Sequence, residues 1–184
     1  MKKIILTLFA IGVMSISMNA QRFITKNGHV WFHSEAPLET IEAHNKQTNA
    51  ALDITSGDFV FKILMKSFIF EKALMQEHFN ENYVESDKFP NSTFKGRISN
   101  LESIDFTRPG SYSATVEGDL TIHGITKPVS AEGTFKVSDD IIRGKAKFEI
   151  AIADYDISIP GAVAGKIADL VEINIDVKLT ELKK

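Results

Sequence analysis

The stretch GDLTIHGITKPVSAEGTFKV, residues 118–137, is two β-strands and a turn. Successive strand side chains alternate between faces, so Leu120 and Ile122 point one way and Asp119, Thr121 and His123 the other. Gly124 through Pro128 carry the turn signal. Beyond it Val129, Ala131, Gly133, Phe135 and Val137 share one face. That face is apolar, yet it is interrupted by the smallest residues available. Two interiors fit: a packed core in which glycines let strands bend, or a chamber in which small residues leave volume.

The period of two extends outward along the chain. Residues 57–66 place Phe59, Phe61, Ile63 and Met65 on one face. Residues 92–98 place Phe94, Gly96 and Ile98 together, and residues 112–122 place Tyr112, Ala114, Val116, Gly118, Leu120 and Ile122 together. Residues 142–152 give Ile142, Gly144, Ala146, Phe148, Ile150 and Ile152, and residues 171–179 give Val171, Ile173, Ile175, Val177 and Leu179. With GHVWFHS (28–34), IEAHNK (41–46) and NAALDIT (49–55), these make eight or nine strands. Alternation of this kind gives one wet and one dry face, as in antiparallel sheets. Many even strands with short turns predict an all-β closed barrel or sandwich. In the four strands from Phe94 to Ile152 all four glycines fall on the dry face.

One segment departs from the pattern. Residues 70–83, FEKALMQEHFNENY, contain good helix formers, and Phe70, Leu74, Met75, His78 and Phe79 form a stripe. A single short α-helix is expected there, covering one end of the barrel. Residues 160–170, rich in Gly and Ala, suggest a second helical turn or an ordered loop.

The chain opens MKKIILTLFAIGVMSISMNAQ, with Lys2 and Lys3 before an apolar run from Ile4 to Ile16. This reads as a secretory signal peptide, residues 1–20, cleaved near Ala20, with residues 21–184 as one domain. The run is shorter than the roughly 20 residues that span a bilayer. Residues 21–184 carry 19 basic and 24 acidic side chains, a formal charge of −5. A surface of that sign disfavours nucleic acid. The chain has no cysteine, which removes disulfides, thiol catalysis and Cys-zinc sites.

The same hairpin carries a family resemblance. GDLTIHGITKPV, residues 118–129, resembles the G-x-L-T-I-x-G-x-T-x-P-V hairpin of YceI-like proteins. Residues 74–96 resemble the segment of that family in which a helix leads to a K-[YF]-P-x-x-x-F strand, here Lys88, Phe89, Pro90 and Phe94. ADYDISIP, residues 153–160, is also similar. The resemblance covers most of residues 22–182. It implies a lipocalin-like antiparallel β-barrel, a periplasmic or secreted protein outside the membrane itself, and a lumen that takes a polyisoprenoid or similar long-chain amphiphile. It implies no catalytic chemistry and no cofactor.

On that reading the protein is an exported carrier or sequestering protein. The tail is expected among Phe61, Ile63, Met65, Phe94, Leu120, Phe135, Phe148 and Ile150. Phe68, Phe70, Leu74 and Phe79, at the helix and its entry, are expected to cover it. Lys66, Lys72 and Lys88 offer a positive site for an anionic isoprenoid head, while a quinone-like head needs none. The alternative is an interaction protein with a filled core, serving an envelope stress response or a membrane redox or transport partner.

Other candidate groups carry less. His29 and His33 fall on one side of a strand with Trp31 between them, two metal ligands without a third. His78 lies on the helix stripe, and His123 beside a turn, where exposure is expected. Asp139-Asp140 reads as turn chemistry, and Asp154 and Asp156 flank Tyr155 without a partner nucleophile or base. No serine elbow, P-loop or dinucleotide fingerprint occurs.

Overall fold

The computed structural model describes residues 21–183. Nine strands follow in chain order: β1 (Arg22–Glu35), β2 (Thr40–Asp53), β3 (Asp58–Leu64), β4 (Ile69–Phe70), β5 (Asn91–Ile98), β6 (Gly110–Ile122), β7 (Ile125–Ser138), β8 (Ile141–Ala151) and β9 (Leu170–Glu181). All their pairings are antiparallel. The order is β1-β9-β8-β7-β6-β5-β3-β2, and β2 pairs back onto β1. The sheet therefore closes into an eight-stranded barrel, although β7 and β8 pair only over Glu132–Ser138 and Ile141–Lys147 and are not hydrogen-bonded to each other beyond them. The two-residue β4 pairs with Ala43 and His44 of β2 and acts as the kinked continuation of β3, beyond a 3₁₀ turn at Met65–Ser67.

Sequence patterning placed β5, β6, β8 and β9 within a residue or two, but β7 starts at Ile125, four residues before Val129. The turn expected over Gly124–Pro128 is confined to His123 and Gly124, both at positive φ, as in a two-residue hairpin. Patterning also divided β2 at a point where the strand is continuous. The cause is a bulge: Gly28 faces Thr48 but Val30 faces Asn45, so β2 spends an extra residue there. Asn45 is fully buried at the bulge. Its Nδ2 donates to the Leu64 carbonyl at 2.9 Å, and its Oδ1 accepts from the Gln47 amide at 2.9 Å. One side chain thus holds both the bend in β2 and the end of β3.

The helix is shorter than expected. Lys72 is extended (φ −106°, ψ 124°), so α1 starts at Ala73 and runs to His78. It continues as one π-helical turn, Phe79–Tyr83. Phe70 stays in the sheet as part of β4. The segment at 160–170 forms a 3₁₀ turn, Gly161–Val163, and an isolated bridge between Ala164 and Ile167.

The interior has two halves. One end is packed around Phe23, Leu52, Phe59, Ile98, Phe135, Ile142 and Leu179. Around the other, Val30, Ile63, Met65, Phe68, Leu120, Ile150 and Val171 form the wall of a cavity.

Candidate functional site

The cavity is about 420 Å³, inside the range of about 300–1,000 Å³ typical of small-molecule sites. A second, narrower space of about 70 Å³ adjoins it deeper in the barrel. Val30, Ile63, Leu120 and Ile173 border both. Together they form a wide chamber with an apolar extension.

The predicted residues are divided between these spaces. Ile63, Met65, Phe68, Phe70, Leu74, Phe79, Leu120 and Ile150 line the chamber. Phe61, Phe94, Phe135 and Phe148 line the extension. Leu74 sits at the rim and is 61% exposed, so it is not the buried helix residue its stripe suggested.

The interior glycines do not create the chamber. Gly133 and Gly144 border only the narrow extension, and Gly96 and Gly118 border neither space. The Phe94 ring lies over Gly96, and the Phe135 ring approaches the place where a Cβ of Gly144 would be to 3.0 Å. Aromatic rings fill the room that the glycines leave. The chamber lies instead where β3 breaks into its 3₁₀ turn and where α1 and the 160–170 segment replace regular strand.

Three segments build the mouth. The β1–β2 turn contributes Glu39, the approach to α1 contributes Lys72, and the 160–170 segment contributes Val163, Lys166 and Ile167. Lys72 Nζ donates to Glu39 Oε1 at 2.8 Å. That bond, with Lys166 adding its charge, holds the Glu39 carboxyl below the ordinary range, and Lys72 is raised in turn. The Leu38 amide donates to the Gly165 carbonyl at 2.9 Å, joining the turn to the third segment.

Phe79 fastens the helix over this end. Its ring centroid lies 5.6 Å from Phe32, 5.6 Å from Phe68 and 5.0 Å from Phe70. Such aromatic pairs contribute about 0.5–1.5 kcal/mol each beyond their buried area. Phe32 went unassigned in the sequence, although Val30, Phe32 and Ser34 alternate with His29, Trp31 and His33. That period was the signal for it. Lys166 carried no such signal, since it follows an irregular Gly/Ala run.

The expected lysines are otherwise engaged. Lys66 pairs with Asp87, and Lys88 pairs with Glu85 while lying over the Phe89 ring. Neither lines the chamber; only Lys72 of the three does.

The histidines are rearranged relative to expectation. His29 meets His44 of β2 rather than His33, with Nε2 and Nδ1 3.0 Å apart, on the outer wall. Burial and the neighbouring His44 lower the His29 pKa. Among the described residues no three His, Cys, Asp or Glu side chains gather so as to hold a metal ion. His78 is exposed but lines the chamber mouth. His123, expected at the surface, has only 11% of its side chain exposed. Its Nδ1 reaches the Tyr155 carbonyl at 3.1 Å and its Nε2 reaches Glu85 at 2.8 Å. Both partners are more than 30 residues away in the chain, which is why local sequence concealed them. Asp139 and Asp140 form the β7–β8 turn, and Asp154 and Asp156 are exposed away from the chamber.

The YceI-like domain family matches residues 16–179. The chain belongs to the YceI-like family. Solved structures agree on the fold. A polyisoprenoid binding domain from Saccharophagus degradans implicated in plant cell wall breakdown has a TM-score of 0.75 at 13% identity, covering 89% of this chain and 99% of that one. Burkholderia cenocepacia BcnA has a TM-score of 0.65 at 16% identity, with 83% and 96% covered. A Campylobacter jejuni YCEI protein has a TM-score of 0.61 at 18% identity, with 77% and 85% covered. At these identities the likeness is one of fold. No curated protein matches the chain. Among the described residues of this YceI-like barrel, no helix is long and apolar enough to cross a membrane. The expected signal peptide, residues 1–20, lies outside the described residues.

Proposed function

We propose that this YceI-like barrel binds one long-chain amphiphile, a polyisoprenoid or a similar lipid, as an exported carrier or sequestering protein. The observation that carries the reading is the chamber of about 420 Å³ with its apolar extension of about 70 Å³. A tail enters between α1 and the 160–170 segment, passes Ile63 and Leu120, and ends near Phe135 and Phe148. Its head stays at the mouth beside Lys72 and Lys166. Each CH₂ taken from water contributes roughly 0.8 kcal/mol, so the work of binding is burial and needs no reacting group. The name of the Saccharophagus degradans domain, a polyisoprenoid binding domain, supports the same ligand class. The filled-core alternative requires an interior without such space.

Transfer from membranes tests the reading. Vesicles loaded with a neutral polyprenol are incubated with the protein, and the protein is then reisolated and extracted. Polyprenol at a molar ratio near one supports the proposal. Extracts free of prenol at every vesicle load refute it and favour a protein-interaction role.

A further inference from the structure

We propose that the mouth of the chamber selects an amphiphile with a single anionic head, a carboxylate or a phosphate, seated between Lys72 and Lys166 in the position Glu39 now holds. The inference rests on the carrier reading above and specifies its ligand.

The chamber wall is almost entirely apolar, and its fixed charges are confined to Glu39, Lys72 and Lys166. Two amines face one carboxylate, so the mouth carries an excess of one positive charge. The chain as a whole has a formal charge of −3. The sign at the mouth is therefore the reverse of the molecule's. Glu71, beside Lys72 in sequence, tempers that charge from outside but does not line the chamber.

The placement of the three groups matters as much as their number. The Glu39 side chain is 25% exposed while that of Lys72 is 61% exposed. The carboxylate is tucked inward and the amine reaches in to it from the rim. An anion thus already stands at the top of an apolar chamber, supplied by the protein itself. A ligand whose tail fills the chamber delivers its own anion to that place, and Glu39 swings out to water from the end of an exposed turn. A neutral head leaves the Lys72–Glu39 pair intact and gains at most a bond from Lys166 and neutral hydrogen bonds from His78 or Tyr83, without the attraction between opposite charges that an anion adds. Charge-assisted bonds are roughly twice as strong as neutral ones, which is the source of the selection.

The experiment compares matched pairs by titration calorimetry on the mature protein: farnesyl phosphate against farnesol, and laurate against dodecanol. The anion is expected to bind about tenfold tighter than its alcohol, the scale of one hydrogen bond to a charged group. Glu39→Gln widens that gap by releasing Lys72 from its carboxylate partner, and the Lys72→Gln/Lys166→Gln double variant abolishes it. A gap in the phosphate pair alone assigns a prenyl phosphate, a gap in the laurate pair alone a fatty acid, and a gap in both a general anion seat. Equal affinity for anion and alcohol, or a gap that survives loss of both lysines, overturns the inference while the carrier reading stands. Failure of all four compounds to bind overturns both.

Discussion

Gly96 and Gly118 stand opposite each other across β5 and β6, and neither has room for a methyl group. A Cβ on Gly96 would enter the Glu117 carbonyl and the Phe94 ring, and a Cβ on Gly118 would enter the backbone of Lys95 and Gly96. The two strands approach so closely that only glycine fits on either side. These residues shape the barrel wall, and the ligand space lies beyond them.

Gly118→Ala is therefore expected to lower the thermal midpoint by several degrees. Overpacking costs about 1–3 kcal/mol, and each kcal/mol shifts the midpoint by about 2–4 °C in a chain of this size. Gly161→Ala, where nothing lies within 4 Å of the added carbon, serves as the control and leaves the midpoint unchanged. Equal midpoints for the two variants would contradict the close approach.

Asn45→Ala removes the group that satisfies the Leu64 carbonyl and the Gln47 amide at the β2 bulge. Asn45 is fully buried and both bonds are part-buried; an orphaned buried group costs about 1–3 kcal/mol, so a loss of about 2 kcal/mol is expected in urea unfolding. Thr48→Val, which removes only a 3.4 Å contact to the same Asn45 oxygen, costs far less. A loss below 1 kcal/mol for Asn45→Ala would mean that the bulge does not depend on this side chain.

Phe79→Ala frees the helix from Phe32, Phe68 and Phe70. Amide hydrogen exchange is expected to rise across residues 73–83 while β6 to β9 keep their protection, because local opening follows the loss of buried contacts. Bound lipid should also leave faster. Unchanged exchange in the helix would show that it is held by its ends rather than by Phe79.

Arg143 donates to Asp176 from Nε at 2.7 Å and from Nη2 at 2.6 Å. Those bonds hold the Asp176 carboxyl below its ordinary value of 3.8. The folded state then binds that proton more weakly than the unfolded chain, so stability falls as the pH drops. The contribution of Asp176 is present above about pH 4 and lost below it. Wild type and Asp176→Asn should differ in urea midpoint at pH 7, and the difference should shrink as the pH falls below 3.8. A difference that persists at the lowest pH would assign the effect to packing instead of charge.

The barrel was legible because its cause is local: strands wet on one face repeat every two residues, and Phe148 or Ile175 reveals its side wherever the chain runs straight. Legibility failed where the chain bends. The β2 bulge at Asn45 broke the period and divided one strand into two. Good helix formers at Glu71 and Lys72 suggested a helix start that the extended backbone of Lys72 postpones to Ala73. His123 looked exposed because Glu85 and Tyr155 reach it from distant segments. The apolar candidates were legible from their inward faces. The place of the open space was not, because small residues in a strand say nothing about which neighbouring ring fills them. Lys166 at the mouth owes its position to an irregular segment with no period to read.

The most direct test of the central claim is native mass spectrometry of the mature protein purified without detergent, alongside Ile150→Trp. Ile150 lines only the wide chamber, and an indole there fills space that a tail would need. A discrete added mass that extracts as a lipid is expected on the wild type, and its loss in a variant that still folds. A bare polypeptide mass for the wild type after incubation with membrane lipids, or an equal adduct on Ile150→Trp, would contradict the claim.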